Sequence, residues 1–168
     1  MRSKMLAEIE IQCTPGTAAG RIYREFGADS RGDGTYELSV SLENLGLPAI
    51  GKLSRTAFVK LGAAQRREAD NATLIPVQWH DLESDSFPTF HGEIEIVPLG
   101  SELVQVAIIG DYKPPFGPLG AVFDAAVGKA IAEATTRELL ERLRKALETS
   151  EKQPQTAGAA PNYPPTYE

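Results

Sequence analysis

The chain has 168 residues, 42% of them hydrophobic and 24% charged, the make-up of one ordinary globular domain. Lys and Arg number 17 against 23 Asp and Glu, a net charge of −6 with no basic run, which argues against nucleic acid and anionic membrane as partners. A single cysteine, Cys13, excludes an internal disulfide and a Cys-rich zinc site, and two histidines leave few metal constellations, so no cofactor is implied.

The first residues turn acidic at Glu8 before an apolar run can form, which is not the pattern of a signal peptide. No apolar stretch approaches the ~20 residues that span a bilayer, so no integral membrane association is expected. With a lone thiol, the expected address is the cytoplasm. Leu6 to Gln12 alternates apolar and polar, the period of a half-buried strand. Thr14-Pro15 then makes an N-cap and first-turn pair, and a helix over about 15–26 places Ala19, Ile22, Tyr23 and Phe26 on one face, with Gly27 as its stop.

A Gly/Asp-rich turn, Asp29 to Gly34, leads into a long β region. Tyr36, Leu38, Val40 and Leu42 line one face of a strand, and Leu45 to Pro48 is a connection. Leu53, Ala57, Val59 and Leu61 line the next, with Arg55 in phase with them. Residues 73–82, 90–97 and 104–109 give three more strands, punctuated at Asp70-Asn71, Asp85-Ser86 and Leu99 to Ser101. No helical segment separates them, which predicts an antiparallel meander. Pro114 to Pro118 stops the sheet, because proline cannot donate to a ladder. From Leu119 to Leu147 apolar residues recur at helical spacing, an amphipathic helix of about 30 residues, roughly 45 Å long. Its far half offers Glu133/Arg137, Glu138/Arg142 and Glu141/Lys145 as i,i+4 pairs on an exposed face. Residues 149–168 hold no Leu, Ile, Val, Met or Phe but four prolines, so a domain over 1–148 and a disordered tail are expected.

The only element long enough to cover a curved antiparallel sheet is this last helix, so the expected fold is α+β, a helix-grip in which a curved sheet wraps a long C-terminal helix. The segment Gly110-Asp111-Tyr112-Lys113-Pro114-Pro115-Phe116-Gly117, with Phe123-Asp124 and Ala132 to Thr135, resembles the end of SRPBCC-type domains. That superfamily holds START domains, polyketide cyclase-like proteins and the birch-pollen allergen. Ile75-Pro76-Val77-Gln78-Trp79 is similar to the middle strand of a small bacterial branch, and the match in topology spans about 5–148. Larger members often carry two helices where this chain has one short helix. The resemblance implies a cavity between sheet and long helix that holds a hydrophobic small molecule or lipid. Val77, Trp79, Phe90, Ile108, Tyr112, Phe123 and Val127 are compatible with its lining, and equally with a plain core.

Direct chemistry is sparse. There is no phosphate loop and no Gly-x-Ser-x-Gly elbow. His91 falls opposite Phe90, Ile94 and Ile96, and His80 opposite Trp79, so both point to the solvent side of their strands. Arg55 is a candidate anchor for a ligand carboxylate, a partner for Asp111 or Glu133, or a residue turned to water by a bulge. Asp111 and Tyr112, placed where strand meets helix, form a polar pair for a ligand head group. Pro164-Pro165-Thr166-Tyr167 matches a WW-domain ligand of only four residues. The expected function is binding of a hydrophobic small molecule or lipid without catalytic residues. A polyketide cyclase or dehydratase, and a protein-interaction module with a filled core, are the alternatives. Ligand identity and oligomeric state are not legible.

Overall fold

The computed structural model describes residues 3–28, 34–41, 54–80, 89–113 and 123–148, with backbone alone for residues 3, 28, 54, 55 and 123–127. The expected tail over 149–168, the connection at 45–48, the turn at 85–86 and the motif from Pro114 to Gly117 lie outside them.

Strand β1 (Ser3–Gln12) leads to helix α1 (Pro15–Ala28), and then to β2 (Thr35–Ser41), β3 (Ser54–Leu61), β4 (Gln65–Arg67), β5 (Ala72–His80), β6 (Thr89–Pro98) and β7 (Leu103–Lys113). Helix α2 (Phe123–Glu148) follows. The strands form one antiparallel sheet in the order β1-β7-β6-β5-β3-β2, with the short β4 beside β5. The meander expected from the sequence is therefore present, closed at one end by β1 crossing to β7. Helix α2 touches both edge strands, β1 and β2, so the sheet curls until its two edges meet the same helix. This is the expected helix-grip arrangement.

Patterning explains each element. In β2, Tyr36, Leu38 and Val40 are buried while Glu37, Ser39 and Ser41 are exposed, a pleat with one wet face. Helix α1 starts at the Thr14-Pro15 pair, but the cap is the Thr14 carbonyl, which accepts from the Thr17 amide and the Thr17 hydroxyl, both at 3.0 Å. Ala18, Ile22 and Phe26 are its buried stripe, with Ala19 and Tyr23 packed at the margin. The helix runs through Gly27 to Ala28, slightly past the expected stop. The Tyr23 hydroxyl donates to the Gly62 carbonyl at 2.6 Å, tying α1 to the loop after β3, and burial pushes its phenol pKa up.

Strand β4 is absent from the sequence reading, because Gln65-Arg66-Arg67 has neither apolar residues nor alternation. It is held by its hairpin to β5, whose turn places Asn71 at φ 58°, a left-handed conformation that asparagine tolerates. Arg67 pairs there with Asp70 and Glu95. The guanidinium holds the Asp70 carboxyl at about 2.

On α2, Ile131, Leu139, Leu143 and Leu147 are buried. Thr135 and Thr136 are buried too, and their hydroxyls donate to the Ile131 and Ala132 carbonyls at 2.8 Å. The helix end is capped from outside: Arg21 of α1 donates to the Leu147 carbonyl at 2.6 Å. Of the expected i,i+4 pairs, Glu133/Arg137 does not form among the described residues, whereas the Glu141 carboxyl pKa is lowered by Arg144 and also by Lys145, which lies close enough to act on it. Glu133 meets Lys129, Arg144 takes Glu141 and Glu148, and Arg142 reaches Glu25 of α1 and lies over the Tyr36 ring, 5.4 Å from its centre. A long cation beside a second helix finds partners there as readily as one turn away.

Candidate functional site

The register of the sheet assembles an aromatic row on the face toward α2. Val59 pairs with Trp79, Trp79 with Phe90, and Phe90 with Tyr112, so one pleat of four strands places these side chains side by side. All four are buried. The Trp79 and Phe90 rings stack with centres 3.9 Å apart and planes 9° from parallel.

The next pleat explains how rings of this size fit. Gly92 and Gly110 pair across β6 and β7, and the tip of the Phe90 ring lies above them. A methyl group on Gly110 would come within 2.5 Å of the His91 carbonyl oxygen and 2.6 Å of Phe90 Cζ. These two glycines are required by close approach, not by a special φ. Trp79 Nε1 is buried and has no hydrogen-bond partner among the described residues, so a donor faces the interior unsatisfied.

Tyr112 connects this row to an open cleft of about 620 Å³ between β1 and the middle of α2. Its floor is apolar: Met5 and Ala7 from β1, and Leu140 from α2. Met5 Sδ lies against the Thr136 hydroxyl, which locks strand to helix at the base. The mouth is charged, with Lys129, Glu133 and Arg137 on α2.

The sequence-derived candidates fall in different places. Trp79, Phe90 and Tyr112 are brought together, and Val77 lies one pleat on, opposite Gly92. Ile108 pairs with Ile94 and Ala7, buried beneath the cleft strand. Of these five, Tyr112 alone is among the residues lining the cleft. Arg55 pairs by backbone with Val40 at the start of β3, and Phe123 and Val127 open α2; the side chains of these three lie outside the described residues.

Asp111 and Tyr112 do not act as a pair. Both sit in the last three residues of β7, where alternation sends them to opposite faces. Tyr112 points inward, whereas Asp111 lies between His91 and Lys4 on the outer face. His91 is exposed on that face, as expected. His80 lies opposite Trp79, its ring 6.4 Å from that of Phe58. The cleft residues Met5, Thr136, Leu140 and Lys129 were not singled out in the sequence. Their helical spacing at 129, 133, 136 and 140 was visible, but which face would meet an edge strand was not. Among the described residues, no group of three or more His, Cys, Asp or Glu is placed to hold a metal ion. Among them, too, no helix is long and apolar enough to cross a membrane.

No family model and no curated protein matches the chain. Solved structures do. The Zhui aromatase/cyclase of a Streptomyces species superposes with a TM-score of 0.54 at 11% identity, covering 95% of this chain and 100% of that one. A conserved protein from Geobacillus kaustophilus gives 0.54 at 13% identity, over 88% and 97% of the two chains. A Thermus thermophilus protein gives 0.52 at 14%, over 89% and 100%. The chain therefore shares the fold of these structures, the helix-grip arrangement that the sequence resemblance implied. At these identities the likeness is one of fold.

Proposed function

We propose that this protein binds a hydrophobic small molecule or lipid between its sheet and its C-terminal helix, in a cytoplasmic setting. The observation that carries the reading is the cleft of about 620 Å³ with a floor of Met5, Ala7 and Leu140 that ends on Tyr112, whose ladder partner Phe90 stacks on Trp79. Its volume falls in the range of pockets for small organic ligands, roughly 300–1,000 Å³. The unsatisfied Trp79 Nε1 adds a donor for a carbonyl or hydroxyl oxygen reaching the interior.

Binding is favoured over cyclase-type catalysis by the placement of the histidines. His80 and His91, the side chains best matched to proton transfer near neutral pH, alternate away from Trp79 and Phe90. The remaining line-up of Val77, Ile108, Arg55, Phe123 and Val127 belongs to the same reading as interior lining and anchor.

The test is titration of the full chain with the neutral apolar dye N-phenylnaphthylamine. Saturable dye fluorescence, with parallel quenching of Trp79, is the expected result. A dye signal no larger than that of a control protein would overturn the reading and favour a filled core.

A further inference from the structure

The cleft carries more than an apolar floor. Among its described lining residues helix α2 supplies two cations, Lys129 and Arg137, and one carboxylate, Glu133. This excess of positive charge sits on a chain whose net charge is −6. Glu133 answers Lys129 across 3.7 Å in an exposed pair, a contact worth little in water. Arg137 has no ion-pair partner among the described residues, whereas Lys4 alternates with Met5 and belongs to the outer face, across the ladder from Asp111. Lys129 and Arg137 are eight residues apart on one helix, about 12 Å along its axis, so they flank the cleft mouth and do not crowd one point. Below them the cleft turns apolar within one layer of side chains, at Met5 and Leu140.

We propose that this cleft selects a single-chain amphiphile with an anionic head, such as a carboxylate. The tail lies over Met5, Ala7 and Leu140 toward Tyr112, and the head rests at the mouth with Arg137 and Lys129. The proposal rests on the ligand-binding reading above and adds the charge class of the ligand and the residues that read it. Charge complementarity selects the occupant: a neutral ligand leaves Arg137 unanswered, and a cationic one is repelled. A second copy of this acidic chain gains less, because its negative charge is spread over its surface.

The test compares decanoate with decan-1-ol, which share a tail and differ in the head. Calorimetric titration of the full chain at low ionic strength is expected to show decanoate binding at least about tenfold tighter, the scale of one hydrogen bond to a charged group. The Lys129→Gln/Arg137→Gln double variant, changed only at exposed positions, is expected to lose most of that advantage while its affinity for decan-1-ol stays within about twofold. Added salt is expected to erode the decanoate advantage in the unmodified protein, a readout that needs no variant. Equal affinity for the two compounds would overturn the charge selection and leave the ligand-binding reading standing. Binding of neither would overturn both. A double variant that folds and keeps its preference for decanoate, or a preference indifferent to salt, would overturn the assignment to these cations.

Discussion

The glycine pair under Phe90 permits a sharp test of how the interior is built. In Gly110→Ala, the added methyl would meet the His91 carbonyl oxygen at 2.5 Å, Phe90 Cζ at 2.6 Å and Gly92 Cα at 2.7 Å. Two of these three are backbone atoms of the neighbouring strand, which cannot retreat without opening the β6–β7 ladder. The third is the tip of a ring pinned by its stack on Trp79. Overpacking of this kind costs about 1–3 kcal/mol, and the backbone contacts place it at the upper end. Alanine recovers about 0.5–1 kcal/mol in a strand, because glycine loses more freedom on folding. The net expectation is a loss of about 2 kcal/mol. Urea unfolding reads it directly: with a slope of about 2 kcal/mol per molar, the midpoint falls by about 1 M at unchanged slope. Leu6→Ala is the control. Leu6 is 64% exposed, so its midpoint should move by less than the equivalent of about 0.5 kcal/mol. A Gly110→Ala protein as stable as the parent would refute the close approach and, with it, the account of how Phe90 and Trp79 fit inside the sheet.

Other outcomes follow from the same geometry. Trp79 is the only tryptophan and is 1% exposed, so native emission should be blue-shifted and resistant to acrylamide; easy quenching in the folded state would contradict its burial. Arg21→Gln should destabilise the protein by about 1 kcal/mol by uncapping the Leu147 carbonyl, and a thermal melt that does not move would show that water replaces the guanidinium at no cost. Asp70 should titrate with a midpoint of about 2 by carbon-detected NMR, and Arg67→Gln should return it toward the usual carboxylate range. Because its folded pKa is depressed, the stabilisation it supplies is complete above the unfolded value of 3.8 and disappears as pH falls through about 2; it should therefore leave no mark on stability between pH 5 and 8. Since the tail over 149–168 has no large aliphatic residue or phenylalanine, its deletion should leave the melting temperature nearly unchanged.

What was legible in the sequence was everything carried by local periodicity. Alternation located β2, β3, β5 and β6 and told their wet faces from their dry ones, as His91 and Tyr36 illustrate. The spacing of Ile131, Ala134, Leu140, Leu143 and Leu147 announced a long amphipathic helix, and the absence of any helix between strands implied an antiparallel sheet. The order of elements then left the C-terminal helix as the only cover for that sheet.

What the tertiary structure alone decided is how residues distant in sequence share a face. That Met5 of the first strand and Arg137 of the last helix line one cleft depends on β1 crossing to β7 and on the sheet curling until its edge meets α2. No local pattern encodes that closure, which follows from burying one face of the whole sheet at once. The same holds for Gly92 and Gly110, each unremarkable in its own strand and meaningful only when the ladder sets them side by side under Phe90. Periodicity reports which side of an element is dry, whereas a site is made where two dry or charged faces meet, and that meeting is a property of packing, not of sequence.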